Sequence, residues 1–300
     1  MDPIVIVFGL GVGILIGMTG IGGGSLMTPL LILFAGIHPT VAIGTDLAYG
    51  AVTKTLGGWR HLRKGTVDLG VSKWLAFGSV PGSIAGVIVL EIWLKHSPSI
   101  LLTGVAIALL VVSVSMLFRA LFLRAAIDRE RHSVFLDDAT RIQAVVIGLV
   151  LGFLLGLTSV GSGALIGLAL ILVFRLTPHR VVGTDVFHAA IVLWAAGLAQ
   201  LVAGNVDFAL MGTILIGSLP GVVIGTALSG RIPAVVLRPA LGCVLLGSSL
   251  GVLTKAGADL PTWTIVGVPA IVGAIAAVIH RARPIRPRPT DAPTTEAAPA

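Results

Sequence analysis

Charge is what this chain has least of. Asp, Glu, Lys and Arg together make up 11% of its 300 residues, where soluble globular domains carry about 25%. The one cysteine, Cys243, lies in an apolar run, which excludes a disulfide framework and a C-x-x-C pair. There is no H-E-x-x-H and no cluster of carboxylates, so a metal centre and an intramembrane hydrolase both lack their residues. Ser162 sits between Gly161 and Gly163, but no base is placed beside it. Neither an enzyme nor a cofactor is expected. Nucleic acid is not an expected partner either, because the net charge of +7 is gathered in short loops and a C-terminal tail. Basic residues so placed speak of membrane orientation.

What fills the chain instead is apolar sequence. Hydrophobic residues make up 56% of it and the mean hydropathy is +1.05. Runs such as LLTGVAIALLVVSVSMLF (101–118) recur throughout. Such runs predict an all-α polytopic membrane protein with the lipid bilayer as its first partner. The first residues, MDPIVIVFG, have no basic region and no small-residue cleavage site, so this segment is expected to stay in the protein.

Slid over itself by 139 residues, the chain repeats. GILIGMTGIGGGSLMTPLLIL (13–33) falls on GFLLGLTSVGSGALIGLALIL (152–172), GTD (44–46) on GTD (183–185), and GSVPG (78–82) on GSLPG (217–221). The pattern predicts a first membrane repeat over 1–118, a linker over 119–141, a second repeat over 142–257, an additional span over 258–280 and a disordered basic, proline-rich tail over 281–300. Within the repeats the expected segments are 4–36, 40–58, 70–93 and 99–118, then 142–174, 180–203, 208–228 and 233–254.

Basic residues give the halves opposite senses. Arg60, Arg63 and Lys64 follow the second segment of the first half, whereas the equivalent loop AQLVAGN is uncharged; Arg175, Arg180, Arg231 and Arg238 lie in the flanking loops of the second half. Under the positive-inside bias the two halves are inverted repeats, with the linker and tail in the cytoplasm. Consistency then requires 142–174 to enter and return on one side. Its 33 residues suffice for two half-helices of about 15 residues, roughly 22 Å each. Each repeat is thus expected to hold a glycine-broken re-entrant hairpin plus three spans.

The glycine run Gly20, Gly22, Gly23, Gly24 has no Lys after it and no soluble strand before it, so it is neither a P-loop nor a dinucleotide fingerprint. It also exceeds what a helix-packing seam needs. Unwound backbone inside a membrane must line protein or a polar cavity, where free N–H groups at a half-helix start can hold an anion. The expected substrate-binding set is Thr19, Gly22, Gly23, Gly24 and Ser25, with Thr158 and Ser162 in the second copy and Thr45 and Thr184 nearby. A bare structural hinge is the rival reading.

Asp46 and Asp185, both in GTD, are candidates for proton coupling or gating, or else for helix-dipole positions near an interface. Lys54, whose repeat partner is Leu193, can balance an anion, pair with Asp46, or snorkel to the basic edge. His188 shares a face with Asp185 at i, i+3 and is the candidate for a titrating pair, with helix packing as its alternative. Pro81 and Pro220 are expected to kink their helices, as gating hinges or as structure. Asp68 and Asp207 are expected to cap the helices that follow them.

These motifs resemble a known family. G-x-G-G-G-x-x-x-x-P (Gly20–Pro29), P-x-x-A-x-G-T-D (Pro39–Asp46), T-K-x-x-G-x-x-x-H-x-x-x-G-x-V-D (Thr53–Asp68) and the paired S-x-P-G motifs are similar to those of the sulfite exporter TauE/SafE permeases, also called domain of unknown function 81. The second copy departs from the pattern, with GSG at 161–163 and no proline at 168. The resemblance implies a multi-pass transporter of the bacterial inner membrane for small anions such as sulfite or sulfonates; the broken inverted repeats favour alternating access, and the GTD aspartates make protons a candidate coupling ion. An anion-selective channel is the alternative, and a non-transporting scaffold a third. Oligomeric state, direction and the particular anion are left open.

Overall fold

The computed structural model describes residues 3–19, 24–122, 137–228 and 234–282. The described residues form eleven α-helices: α1 Pro3–Thr19, α2 Gly24–Leu33, α3 Pro39–Arg63, α4 Leu69–Val89, α5 Pro98–Phe122, α6 Asp138–Thr158, α7 Leu165–Leu172, α8 Pro178–Val202, α9 Phe208–Leu228, α10 Ala234–Lys255 and α11 Thr262–Ala282. A π-helical turn, Leu90–Leu94, continues α4. Six of these helices are long and apolar enough to cross a membrane, and α1 and α11 carry shorter apolar stretches. The molecule is an all-α, multi-pass membrane protein.

Local chemistry sets the helix ends. Pro39 and Pro178 open α3 and α8, where a missing N–H costs nothing. Beyond their C-termini, Gly65 and Gly204 take φ of +67° and +75°, a region closed to most side chains. α3 runs five residues past the expected end at 58, because Arg60, His61 and Arg63 favour the negative end of its dipole and so extend it beyond the apolar run. α6 starts four residues before the expected 142, since the Asp137 side chain accepts the Thr140 N–H at 3.1 Å and caps it. That bond holds the Asp137 carboxyl below the usual carboxylate range. Asp68 and Asp207 likewise cap α4 and α9, accepting from Val71 N–H and from the Ala209 and Leu210 N–H groups.

The halves are interleaved rather than side by side. α1 of the first half packs along α9 of the second, and α4 of the first along α6 of the second; α3 packs on α8 and α5 on α10. Small residues make the first two seams. Gly9 meets Ile214 and Gly17 meets Val222, while Gly217 and Gly225 meet Ile6 and Ile14 in return. Shifted by the repeat, Gly148 meets Leu75 and Gly156 meets Ser83, with Gly78 and Gly86 against Val145 and Phe153. In each case a Cβ would run into backbone of the facing helix. Glycine every fourth residue on both partners lets backbones touch, which is how packing holds helices together where lipid is as apolar as leucine.

The register of these contacts gives directions. Numbers rise together along α1 and α9, and along α6 and α4, so these pairs are parallel. On α3 and α8, Gly50 meets Leu193 and Gly58 meets Phe187, so that pair is antiparallel. α5 and α10 are antiparallel too, with Ser113 bonded to the Gly242 carbonyl and Ser249 to that of Ala106.

Candidate functional site

Two carboxylates and an ammonium are buried within the bundle, Asp46 and Lys54 on α3, 1% and 7% exposed, and Asp185 on α8, 5% exposed, with His188 of α8 also buried. A charge at this depth is costly and in known membrane proteins marks a pathway or a relay. The antiparallel α3–α8 pair brings them together, and α2 and the turn between α6 and α7 border them.

Asp46 Oδ2 accepts two hydroxyl bonds, from Thr28 of α2 at 2.6 Å and from Ser159 at 2.8 Å. Ser159 is the residue that ends α6 in a left-handed conformation, φ +59°. Asp46 Oδ1 has no hydrogen-bond partner among the described residues. Across the cluster, Asp185 is faced by the Gly163 backbone N–H, which belongs to the turn leading into α7, and by the cations Lys54 and Arg119. Its Oδ1 too has no partner among the described residues. Lys54 lies within electrostatic reach of both carboxylates. Its Nζ is buried and makes no hydrogen bond among the described residues, so the ammonium does not snorkel to the basic edge.

Arg119 was legible only as a linker charge. The helix carries it instead, because α5 continues to Phe122. Its guanidinium reaches the Ala164 carbonyl at 3.4 Å and lies over Gly167, where a larger residue would meet it. Gly167 stands where the first repeat has Thr28. A cation fills in the second half the space that a hydroxyl fills in the first.

The remaining expected residues are placed as follows. Gly22 and Gly23 lie outside the described residues; Thr19 is the last residue of α1 and Gly24 the first of α2. Ser25 is buried and its hydroxyl has no partner among the described residues. Thr158 donates to the Leu154 carbonyl at 2.7 Å and accepts from the Val160 N–H at 3.2 Å, so it shapes the break itself. Ser162 is buried in that turn between Gly161 and Gly163, both at positive φ. Thr45 and Thr184 accept the backbone N–H groups of Asp207 and Asp68, at 3.0 and 2.8 Å. His188 bonds Ser79 of α4 at 2.8 Å through Nε2 rather than pairing with Asp185. In the other half Tyr49 has Ser218 nearby, but neither hydroxyl makes a hydrogen bond among the described residues. The S-x-P-G motifs therefore aim a serine at α8 and α3, while α4 and α9 continue as helix through Pro81 and Pro220. No group of three or more metal-ligating side chains is found among the described residues.

The comparisons with known proteins give the family. The family model described as sulfite exporter TauE/SafE matches residues 5–252. Three curated relatives come from Bacillus subtilis (strain 168). The chain is 38% identical to "Probable membrane transporter protein YjnA" over 73% of its own length and 87% of that protein. It is 29% identical to "Probable membrane transporter protein YunE" (68% and 80%) and 27% identical to "Probable membrane transporter protein YdhB" (69% and 82%). No solved structure matches. A family match that spans residues 5–252, most of the chain, makes the assignment: the chain belongs to the sulfite exporter TauE/SafE family of membrane transporters, which are not enzymes.

Proposed function

We propose that this transporter carries a small anion, of the class of sulfite, sulfonates or other sulfur-containing or organic anions, by alternating exposure of one site between two inverted repeats. The observation that carries the reading is Lys54: a buried ammonium without a hydrogen-bond partner among the described residues, set between the carboxylates of Asp46 and Asp185. Buried polar atoms are almost always bonded, so a bare ammonium suits an occupant that comes and goes. Arg119 and the Gly163 N–H, in the turn leading into α7, add further positive ends nearby.

Helix directions support the inversion. α1 runs with α9, and α3 runs against α8. The five residues 203–207 join α8 to α9, a turn long enough only for α9 to double back on α8. α1 and α3 then share a direction. The five residues 34–38 extend at most about 17 Å, short of a hydrocarbon core of about 30 Å. α2 therefore has to run back between them, which is a re-entrant hairpin. α6, running with α4, opposes its own repeat partner α1. In this arrangement Arg60, Arg63, Lys64, Arg141, Arg175, Arg180 and Arg238 gather at one end, with Lys95 and Lys255 at the other. The positive-inside bias makes the first end cytoplasmic, together with the 119–141 linker and the tail.

The test is flux. Purified protein in liposomes is expected to move at least one of sulfite, sulfoacetate or acetate saturably, and to exchange internal for external label. Absence of saturable flux for every anion tried would sink the reading. A non-saturating conductance would make the protein a channel. Cysteines placed at Gly36 and Arg175 are expected to label from opposite sides; labelling from one side overturns the inversion.

A further inference from the structure

The GTD aspartates are equivalent in sequence and unlike in surroundings. Asp46 meets hydroxyls: Thr28 and Ser159 both donate to Oδ2, and Oδ1 is left bare among the described residues. The residues at the repeat-equivalent positions of Thr28 and Ser159 are Gly167 and Gly20, which have no hydroxyl to give. Asp185 meets charges instead, Lys54 and Arg119, with the Gly163 N–H. Helix ends divide the same way. The C-terminal turn of α6, negative by its dipole, closes on Asp46 through Ser159. The turn leading into α7, positive by its dipole, faces Asp185.

We propose that the two aspartates divide one transport cycle between them, Asp46 taking up and releasing one proton with each anion while Asp185 stays ionised as the fixed partner of Lys54 and Arg119. This rests on the anion-transport reading above. On loading, a proton adds to the bare Oδ1 of Asp46, converting carboxylate to carboxylic acid. On unloading it leaves to water on the other side, and the carboxylate returns to the two hydroxyls. A monovalent anion meets Lys54 and Arg119 near Asp185, so the loaded cluster gains no net charge. A cluster that neither gains nor loses charge avoids the cost of moving charge through a low-dielectric interior. The groups that face Asp46 fit this role. Thr28 comes from α2, Ser159 from the turn after α6, and Tyr49 and Lys54 from α3 itself. α8 contributes Asp185 and His188, which both interact electrostatically with Lys54.

The experiment uses the full-length protein in liposomes. The probe is a radiolabelled monovalent anion, methanesulfonate or hydrogensulfite, whichever the wild type moves saturably, with a trapped pH dye. Wild type is expected to accumulate label down an imposed proton gradient and to move one proton per anion. Asp46→Asn is expected to lose gradient-driven accumulation by about tenfold or more, yet to keep label exchange within about threefold of wild type. Asp46→Glu restores the drive. Asp185→Asn is expected to impair exchange and accumulation together. Accumulation by Asp46→Asn at the wild-type level overturns the proposal. So does loss of the drive in Asp185→Asn with exchange intact. If Asp46→Asn fails to fold, the wild-type proton count decides: anion movement without proton movement overturns it. Wild type that moves no anion refutes transport itself, which is a different result.

Discussion

The hydroxyl of Thr184 accepts the backbone N–H of Asp68 at 2.8 Å, across 116 residues and between the two halves. Thr45 does the same for Asp207 at 3.0 Å. Each GTD threonine thus ties the start of its helix to the loop that precedes α4 or α9 in the other half.

Thr184→Val and Thr45→Val keep shape and remove the acceptor, leaving a buried N–H unpaired. Each is expected to cost about 1–3 kcal/mol, read as a fall in thermal midpoint in detergent, with the serine variants near wild type. If substrate contact were the threonines' main role, the valine variants would keep their midpoint and lose anion affinity.

The glycine seams are predicted to resist any side chain. Gly152→Ala puts a methyl group into the Ser79 backbone, and Gly221→Ala puts one into that of Leu10. Each should destabilise by about 1–3 kcal/mol, and a leucine at either position should prevent folding. Gly104→Ala, with open space around its Cβ, is the control and should leave the thermal midpoint unchanged or raise it.

Lys54→Met removes the cation between two carboxylates. Breaking one member of a buried charge cluster costs about 3–5 kcal/mol, so this variant should be poorly stable. Adding Asp185→Asn should recover part of the loss, because the residual negative charge goes with it. Equal stability of the single and double variants would mean that the two groups do not interact.

At the start of α6, Asp137 caps the Thr140 N–H and its carboxyl is held below the usual range by that bond. The folded-state value is lower than the unfolded one. The cap therefore contributes fully above the ordinary carboxylate range and is lost as pH falls through the depressed value. Hydrogen exchange at the Thr140 and Arg141 amides should speed up under acid, and Asp137→Ala should show the fast rate at neutral pH. Exchange independent of pH beyond the usual base catalysis would refute the cap.

Much of the molecule follows from local rules. The repeat, the membrane class, the prolines that open α3 and α8 and the caps at Asp68 and Asp207 were legible because each depends on residues adjacent in sequence. Asp46, Lys54 and Asp185 were legible as charges in apolar runs. Their partners were not. Thr28 and Ser159 are ordinary hydroxyls until α3 passes beside α2 and the end of α6. Arg119 read as linker because helix length is decided by packing against α10 and α7 as well as by hydropathy. His188 was matched to Asp185 by helical spacing, and tertiary packing gave it Ser79 instead.

The sequence by itself determined that this is a duplicated, all-α membrane protein, since periodic apolar runs and a fixed offset of 139 need no three-dimensional information. Only the tertiary structure decided that the repeats interleave, α1 on α9 and α6 on α4. It also decided that twin aspartates have different neighbours. The reason is physical: which faces meet depends on the approach that glycine seams permit, and a side chain's partner across such a seam is written in another part of the chain.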